Sequence, residues 1–247
     1  MTDNNEQPKR KLRKHPLLWQ SYLYWDELMQ MRKRHLLRLS SIEADRSGMD
    51  ESFETDIIAV LCPMLKLAQQ DMAAHGKNLG VVWDWMTSIK GIGDHTAAKI
   101  LALFDDVENF ATISKFWRFS GWAVIDGEID RCRKGEKSPY NRRLKSECFI
   151  IAQNFIRQQT PVYVDIYYAE KARLRRLYPE PVKADNGPWP MKYTDSHVHR
   201  MALRKMIKIF LSHLWQVWRE TDGLPVSEPW VSTIGGHTNI VPIPNWK

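Results

Sequence analysis

The segment Trp85-Met86-Thr87-Ser88-Ile89-Lys90-Gly91-Ile92-Gly93-Asp94-His95-Thr96-Ala97-Ala98-Lys99-Ile100-Leu101 constrains the fold more than any other. An apolar helical face runs into hydrophobic-x-Gly-hydrophobic-Gly, and a second helix opens on small residues and continues with Ile100 and Leu101. This is the pattern of a helix–hairpin–helix. Two glycines give the turn access to positive φ and let another backbone come close. Ile92 between them plugs the core. The unpaired amides of the turn and of the second helix's first turn converge, with the helix dipole, on one spot that suits a phosphate oxygen. Lys90 and Lys99 flank that spot. With Gly91, Ile92, Gly93, His95 and Thr96 they form the first set of candidate DNA contacts. A helix–helix corner that needs two glycines is the plainer reading of the same residues.

Periodicity on both sides of the hairpin is helical. Leu18, Tyr22, Trp25, Leu28, Met29, Arg32 and Leu36 recur at three- and four-residue steps and predict a helix over 17–39. A second helix over 55–73 carries Ile58, Val60, Leu61, Leu65 and Leu67 as its buried stripe. Joined by a polar turn, the two read as an antiparallel hairpin or coiled coil, suited to a homodimer contact. Further helices are predicted over 81–89, 94–104, 114–119, 141–159, 162–177 and 194–220. Strand-like alternation is nearly absent. The fold is therefore mostly α: a basic, disordered arm (1–16), a coiled-coil-like helical hairpin (17–78), a helical domain containing the helix–hairpin–helix (79–220) and an extended proline-rich tail (221–247).

Charge supplies the second constraint. The chain has 36 Lys and Arg against 29 Asp and Glu, a net charge of +7. Its 43% apolar content is that of a folded protein rather than a disordered polycation. No uninterrupted apolar run approaches the roughly 20 residues of a membrane span. Three cysteines without a CxxC pair argue against a disulfide framework. The expected setting is cytoplasmic and nucleoid-associated. Basic residues cluster at Arg131, Arg133, Lys134, Lys137, Arg142, Arg143 and Lys145, with Tyr140 and the candidate DNA contact Asn141 among them. They cluster again at Lys171, Arg173, Arg175 and Arg176, and along the last helix, where His197, Arg200, Arg204 and Lys208 make a cationic stripe. Together they predict a phosphate-binding surface gathered around the hairpin. Trp85, Trp117, Trp215 and Trp218 read as core, and Trp189, Trp230 and Trp246 as loop residues.

These residues carry a resemblance. Ile89-Lys90-Gly91-Ile92-Gly93, Phe110, Phe119-Ser120-Gly121-Trp122, Lys137-Ser138 and Asn141-Arg142-Arg143-Leu144 resemble the C-terminal half of the Piv-type insertion-sequence transposases, the IS-one-ten group of bridge-RNA-guided recombinases. The resemblance implies binding to DNA, and to a structured RNA. Two departures change what it implies for chemistry. The family's N-terminal nuclease-like domain, with four acidic metal ligands, has no counterpart here. Where its nucleophilic serine precedes a glycine, this chain reads Ile125-Asp126-Gly127-Glu128-Ile129-Asp130-Arg131. Ser120 stands where the family has alanine, and Ser138 at a non-catalytic position. The expectation is a nucleic-acid-binding protein that does not cut by itself, or a subunit of a split recombinase served by a separate nuclease-like protein.

Other chemistries have thinner support. Asp195-Ser196-His197-Val198-His199-Arg200 imitates the catalytic run of helix–hairpin–helix DNA glycosylases, with Asp195 in the acidic role, but lies about a hundred residues past the hairpin. Asp126, Glu128 and Asp130 alternate as a Mg²⁺ site would, although a polar hairpin balancing Arg131 and Arg133 explains them as well. Cys132, Cys148, His197 and His199 match no zinc spacing. No metal site and no cofactor is expected, Mg²⁺ being the only candidate ion.

Overall fold

The computed structural model describes residues 12–44, 50–125, 127–183, 191–226 and 241–246. The chain is mostly helical. α1 (Pro16–Glu43) and α2 (Ser52–Lys77) form an antiparallel pair, followed by α3 (Val81–Ser88), α4 (Asp94–Phe104), a 3-10 turn (Val107–Asn109) and α5 (Ile113–Phe119). Then come α6 (Arg142–Arg157), α7 (Tyr163–Leu177) and α8 (Asp195–Thr221). Two minimal antiparallel ladders interrupt the helices. β1 (Val124–Ile125) pairs Val124 with Ile129 and Ile125 with Glu128 of β2 (Glu128–Ile129). β3 (Val182–Lys183) pairs Val182 with Lys192 and Lys183 with Met191 of β4 (Met191–Lys192). Each is too short for alternation to announce it.

α8 is the axis of the C-terminal body. Val198, Ala202, Phe210, Leu214 and Val217 are fully buried, and α3, α5, α6 and α7 pack around them. Trp85, Trp215 and Trp218 lie in that core and Trp117 at its edge. Phe155, Tyr163 and Phe210 form a ring cluster where α6, α7 and α8 meet. The α1–α2 pair docks on α4. α1 buries Leu18, Tyr22, Trp25 and Leu28, and α2 buries Leu61, Leu65, Ala68 and Met72. The predicted stripe of α2 is corrected here. Val60 and Leu67 are 59% and 65% exposed, because the helix turns Ala68 and Met72 inward instead. By length and composition α2 could cross a membrane; in the fold its inner face is laid against α1 and α4.

The ends of the chain are tied to the body. Lys14 reaches Asp106 at 3.4 Å and Asp222 at 2.7 Å, and Arg13 lies 3.5 Å over the ring of Trp19. These two arm residues are occupied by the fold rather than held free; residues 1–11 lie outside the described residues. Near the other end, the indole of Trp85 donates to the Pro244 carbonyl at 2.9 Å, the indole of Trp246 donates to Glu220 at 2.9 Å, and His213 Nε2 lies 3.2 Å from the Val241 carbonyl. Trp246 is thereby packed against the core. Trp189 and Trp230 lie outside the described residues.

Candidate nucleic-acid interface

The Ile89–Gly93 turn is held from behind. Thr160 Oγ1 donates to the Lys90 carbonyl at 2.8 Å, and Asn154 Nδ2 to the Gly91 carbonyl at 3.3 Å. Gly91 has φ 93°, and a Cβ there would stand 3.4 Å from Thr160 Oγ1. Gly93 differs: its φ is −91°, and a Cβ there would meet nothing within 4 Å. Only one of the two glycines is required by backbone conformation. The other leaves bare space at the mouth of α4, where the amides of Asp94 and His95 have no intrahelical acceptor. Ile92 is buried as predicted, and Lys90 is exposed.

Two of the predicted hairpin contacts turn inward. His95 packs edge-on to Trp25, ring centroids 4.6 Å apart, and burial, with a smaller push from Lys99, lowers its pKa to about 4. Lys99 is buried, 2.6 Å from Glu147 of α6 and over the Trp25 ring. Both fasten α4 to α1 and α6. Asp94, exposed at the first position of α4, adds a carboxylate beside the free amides and opposes an anion there.

A different cluster gathers cations near the start of α6. At the start of α6, Asn141 caps the helix by accepting from the Leu144 amide at 3.1 Å, and its own N–H donates to the Phe119 carbonyl at 2.8 Å. This joins the 119–122 box to the 138–145 segment. Gly121 (φ 75°) makes the fit: a Cβ would come within 2.8 Å of the Tyr140 ring and 2.9 Å of the Lys145 chain. Lys145 Nζ lies 4.1 Å over the Tyr140 ring. Across from it on α8 stand Arg204 and Lys208, the latter 3.9 Å over Trp117, whose indole donates to the Lys208 carbonyl at 3.0 Å.

All three cations are half-buried, and no described carboxylate lies within ion-pair distance of any of them. Burial holds each below its ordinary pKa; Arg204 pushes Lys145 and Lys208 down further, while Cys132 and Asp130 pull Lys145 partly back up. His197 is likewise lowered by burial and by Arg200, Arg204 and Lys192. The first turn of α6 holds Arg142, Arg143 and Lys145 and no acid, the reverse of what the helix dipole favours. An anion beside Arg204 would relieve its repulsion of either lysine and offset the desolvation of the cations it met.

The other basic candidates separate by partner. Arg143 is bound to Asp26 of α1 at 2.7 Å. Arg173 and Lys205 share Glu170, and Arg133 stands 3.8 Å from Glu136. Arg131, Lys134, Lys137 and Arg142 are exposed around the cluster, and Arg200 bonds only to Ser196. Ser120 is fully buried, its hydroxyl donating to the Trp117 carbonyl at 3.0 Å, and so is no accessible nucleophile. Asp195 begins α8 with its side chain 94% exposed and bound by Arg175, unlike a base-excision aspartate enclosed beside a flipped base. Cys148 is buried in the core while Cys132 is exposed, so they share no site. Thr96 is half-buried on α4, and Asp126 lies outside the described residues. Sequence reasoning put Lys145 in a run of basic residues without separating it from its neighbours, and missed the aromatic seats of Tyr140 and Trp117. Their signal was Gly121, whose need for glycine shows only once Tyr140 is placed.

Residues 84–167, from within α3 to within α7, match the Transposase IS116/IS110/IS902 family. Over these residues the chain is similar to that transposase family. The match takes in the Ile89–Gly93 turn, the 119–122 box and the start of α6; the α1–α2 pair and α8, with Arg204 and Lys208, lie outside it. No curated protein and no solved structure matches the chain significantly.

Proposed function

We propose that this transposase-derived protein binds nucleic acid by its phosphate backbone, through Lys145, Arg204 and Lys208, and does not cut it by itself. The observation that carries the reading is the convergence of three half-buried cations, two of them seated on aromatic rings, with no described acid to pair them. A cation whose head loses water gains from an anionic partner, since its desolvation otherwise goes uncompensated. Lys99, the buried lysine of α4, is paired in this way with Glu147. The exposed residues Arg131, Lys134, Lys137, Arg142 and Arg200 extend the contact along a strand. The exposed mouth of α4 at Gly93, with Lys90 beside it, offers a second, weaker contact of helix–hairpin–helix type.

The buried hydroxyl of Ser120 and the solvent-facing Asp195 support binding without strand transfer or base excision. Gel-shift titration against duplex DNA, a branched junction and an RNA hairpin, at two salt concentrations with and without Mg²⁺, tests the proposal. The expected result is salt-dependent binding with the nucleic acid recovered intact. Absence of binding to every probe at low salt, or cleavage by the purified chain, would overturn it.

A further inference from the structure

The base of the β3–β4 hairpin carries a stack of rings that core packing does not explain. Tyr178, which follows α7, lies flat on Tyr193, with centroids 3.5 Å apart and planes 3° from parallel. His197 continues the stack at 5.6 Å and 8°. All three are only half-buried. Tyr193 has φ 58°, a left-handed conformation that a residue with a Cβ adopts at a cost. It is held there at both backbone groups: its N–H donates to His197 Nδ1 at 3.0 Å, and its carbonyl accepts from Arg175 Nη1 at 2.9 Å. The same Arg175 nitrogen donates to the Tyr178 carbonyl at 3.3 Å, so one guanidinium fixes both tyrosines.

Arg175 is itself paired with Asp195, and the α8 side of the stack is cationic. His197 feels Lys192, Arg200 and Arg204. His197, Arg200 and Arg204 follow one another at steps of three and four along one face of α8, which leads from the stack to the proposed phosphate site over about 10 Å. Among the described residues no third ring covers the face of Tyr178 turned away from Tyr193. A flat tyrosine pair at base-like spacing, reached along a row of cations, suits one more flat ring attached to a phosphate chain.

We infer that the face of Tyr178 turned away from Tyr193 takes an unpaired base, so that the preferred nucleic acid presents a single-stranded or extruded nucleotide beside its duplex backbone. This rests on the phosphate-binding reading above. Stacking requires only a π-face, so the preference is for unpaired bases rather than for a sequence.

The test compares three DNAs: a blunt duplex, the same duplex with a single-stranded overhang, and one with a bulged 2-aminopurine. Each is titrated with the full chain and with Tyr178→Phe, Tyr178→Leu and Arg204→Gln. The two DNAs with unpaired bases should bind about tenfold more tightly than the blunt duplex. Tyr178→Phe should keep that ratio and Tyr178→Leu abolish it, with blunt-duplex affinity unchanged. 2-Aminopurine emission should be quenched by the wild type and by Tyr178→Phe but not by Tyr178→Leu. Equal affinity for all three DNAs, or a ratio that survives Tyr178→Leu, would overturn the stacking platform. Blunt-duplex affinity that Arg204→Gln leaves unchanged would instead contradict the phosphate site.

Discussion

Residues with the same name have opposite duties in this chain, and their surroundings decide which. Gly91 holds a positive φ against Thr160, whereas Gly93 is extended and faces open space. Gly91→Ala should therefore cost about 1–2 kcal/mol of stability in chemical denaturation, and Gly93→Ala no more than about 1 kcal/mol, the ordinary loss of a glycine N-cap. Equal effects would contradict the assignment. The cations divide in the same way. Lys208→Met removes an unpaired, half-buried charge while keeping most of the apolar stem, and should leave the melting temperature unchanged or raise it. Lys99→Met strands Glu147 and should lower it. The sequence gives no means of telling these lysines apart, because pairing depends on which helix lies opposite. Glu147 and Asp26 reach Lys99 and Arg143 only through the docking of α4, α6 and α1.

His95 and His213 supply a pH dependence. Burial lowers both to about 4, so the folded chain holds them neutral while the unfolded chain protonates them near pH 6.5. The unfolded state then binds more protons through this interval, and stability is lost as the pH falls from about 6.5 toward 4. The melting temperature should decline already between pH 6.5 and 5, above the range of ordinary carboxylates. His95→Phe should reduce that decline; a variant as steep as the wild type would refute the assignment.

At the scale of elements, α6 is the beam that joins the parts. Its 16 residues span about 24 Å. The cation cluster lies at its first turn, and the Ile89–Gly93 turn is clamped near its other end by Asn154 and Thr160. The helices themselves were legible, because apolar residues at three- and four-residue steps survive any packing. The single basic focus around the hairpin was not, since spacing in sequence does not show that α6 separates the two sites. The α1–α2 pair was legible as a hairpin, but only in part as to its buried stripe. Past Leu28, α1 leaves Leu37 72% exposed, and Phe53 at the start of α2 is 63% exposed. Apolar residues so placed fit a second copy of the chain. Sedimentation should show a dimer that Leu37→Glu with Phe53→Glu dissociates; an unchanged mass would remove the pair as the contact.

Across the whole molecule, a modest net charge of +7 conceals an uneven distribution. Among the described residues, acids neutralise the cations that hold helices together, and none is within ion-pair distance of Lys145, Arg204 or Lys208. Arg204 and Lys208 lie outside the family match, while Lys145, Tyr140 and Gly121 lie within it, so the proposed site draws on a family-like segment and a helix beyond it. The most direct test is the dependence of duplex affinity on salt, measured for the wild type, for Lys145→Gln, Arg204→Gln and Lys208→Gln singly and together, and for Lys205→Gln as a paired control. Each cluster substitution should weaken binding and reduce the slope of log affinity against log salt by about one, with the triple variant near background and Lys205→Gln close to wild type. A triple variant with wild-type affinity and slope would contradict the account.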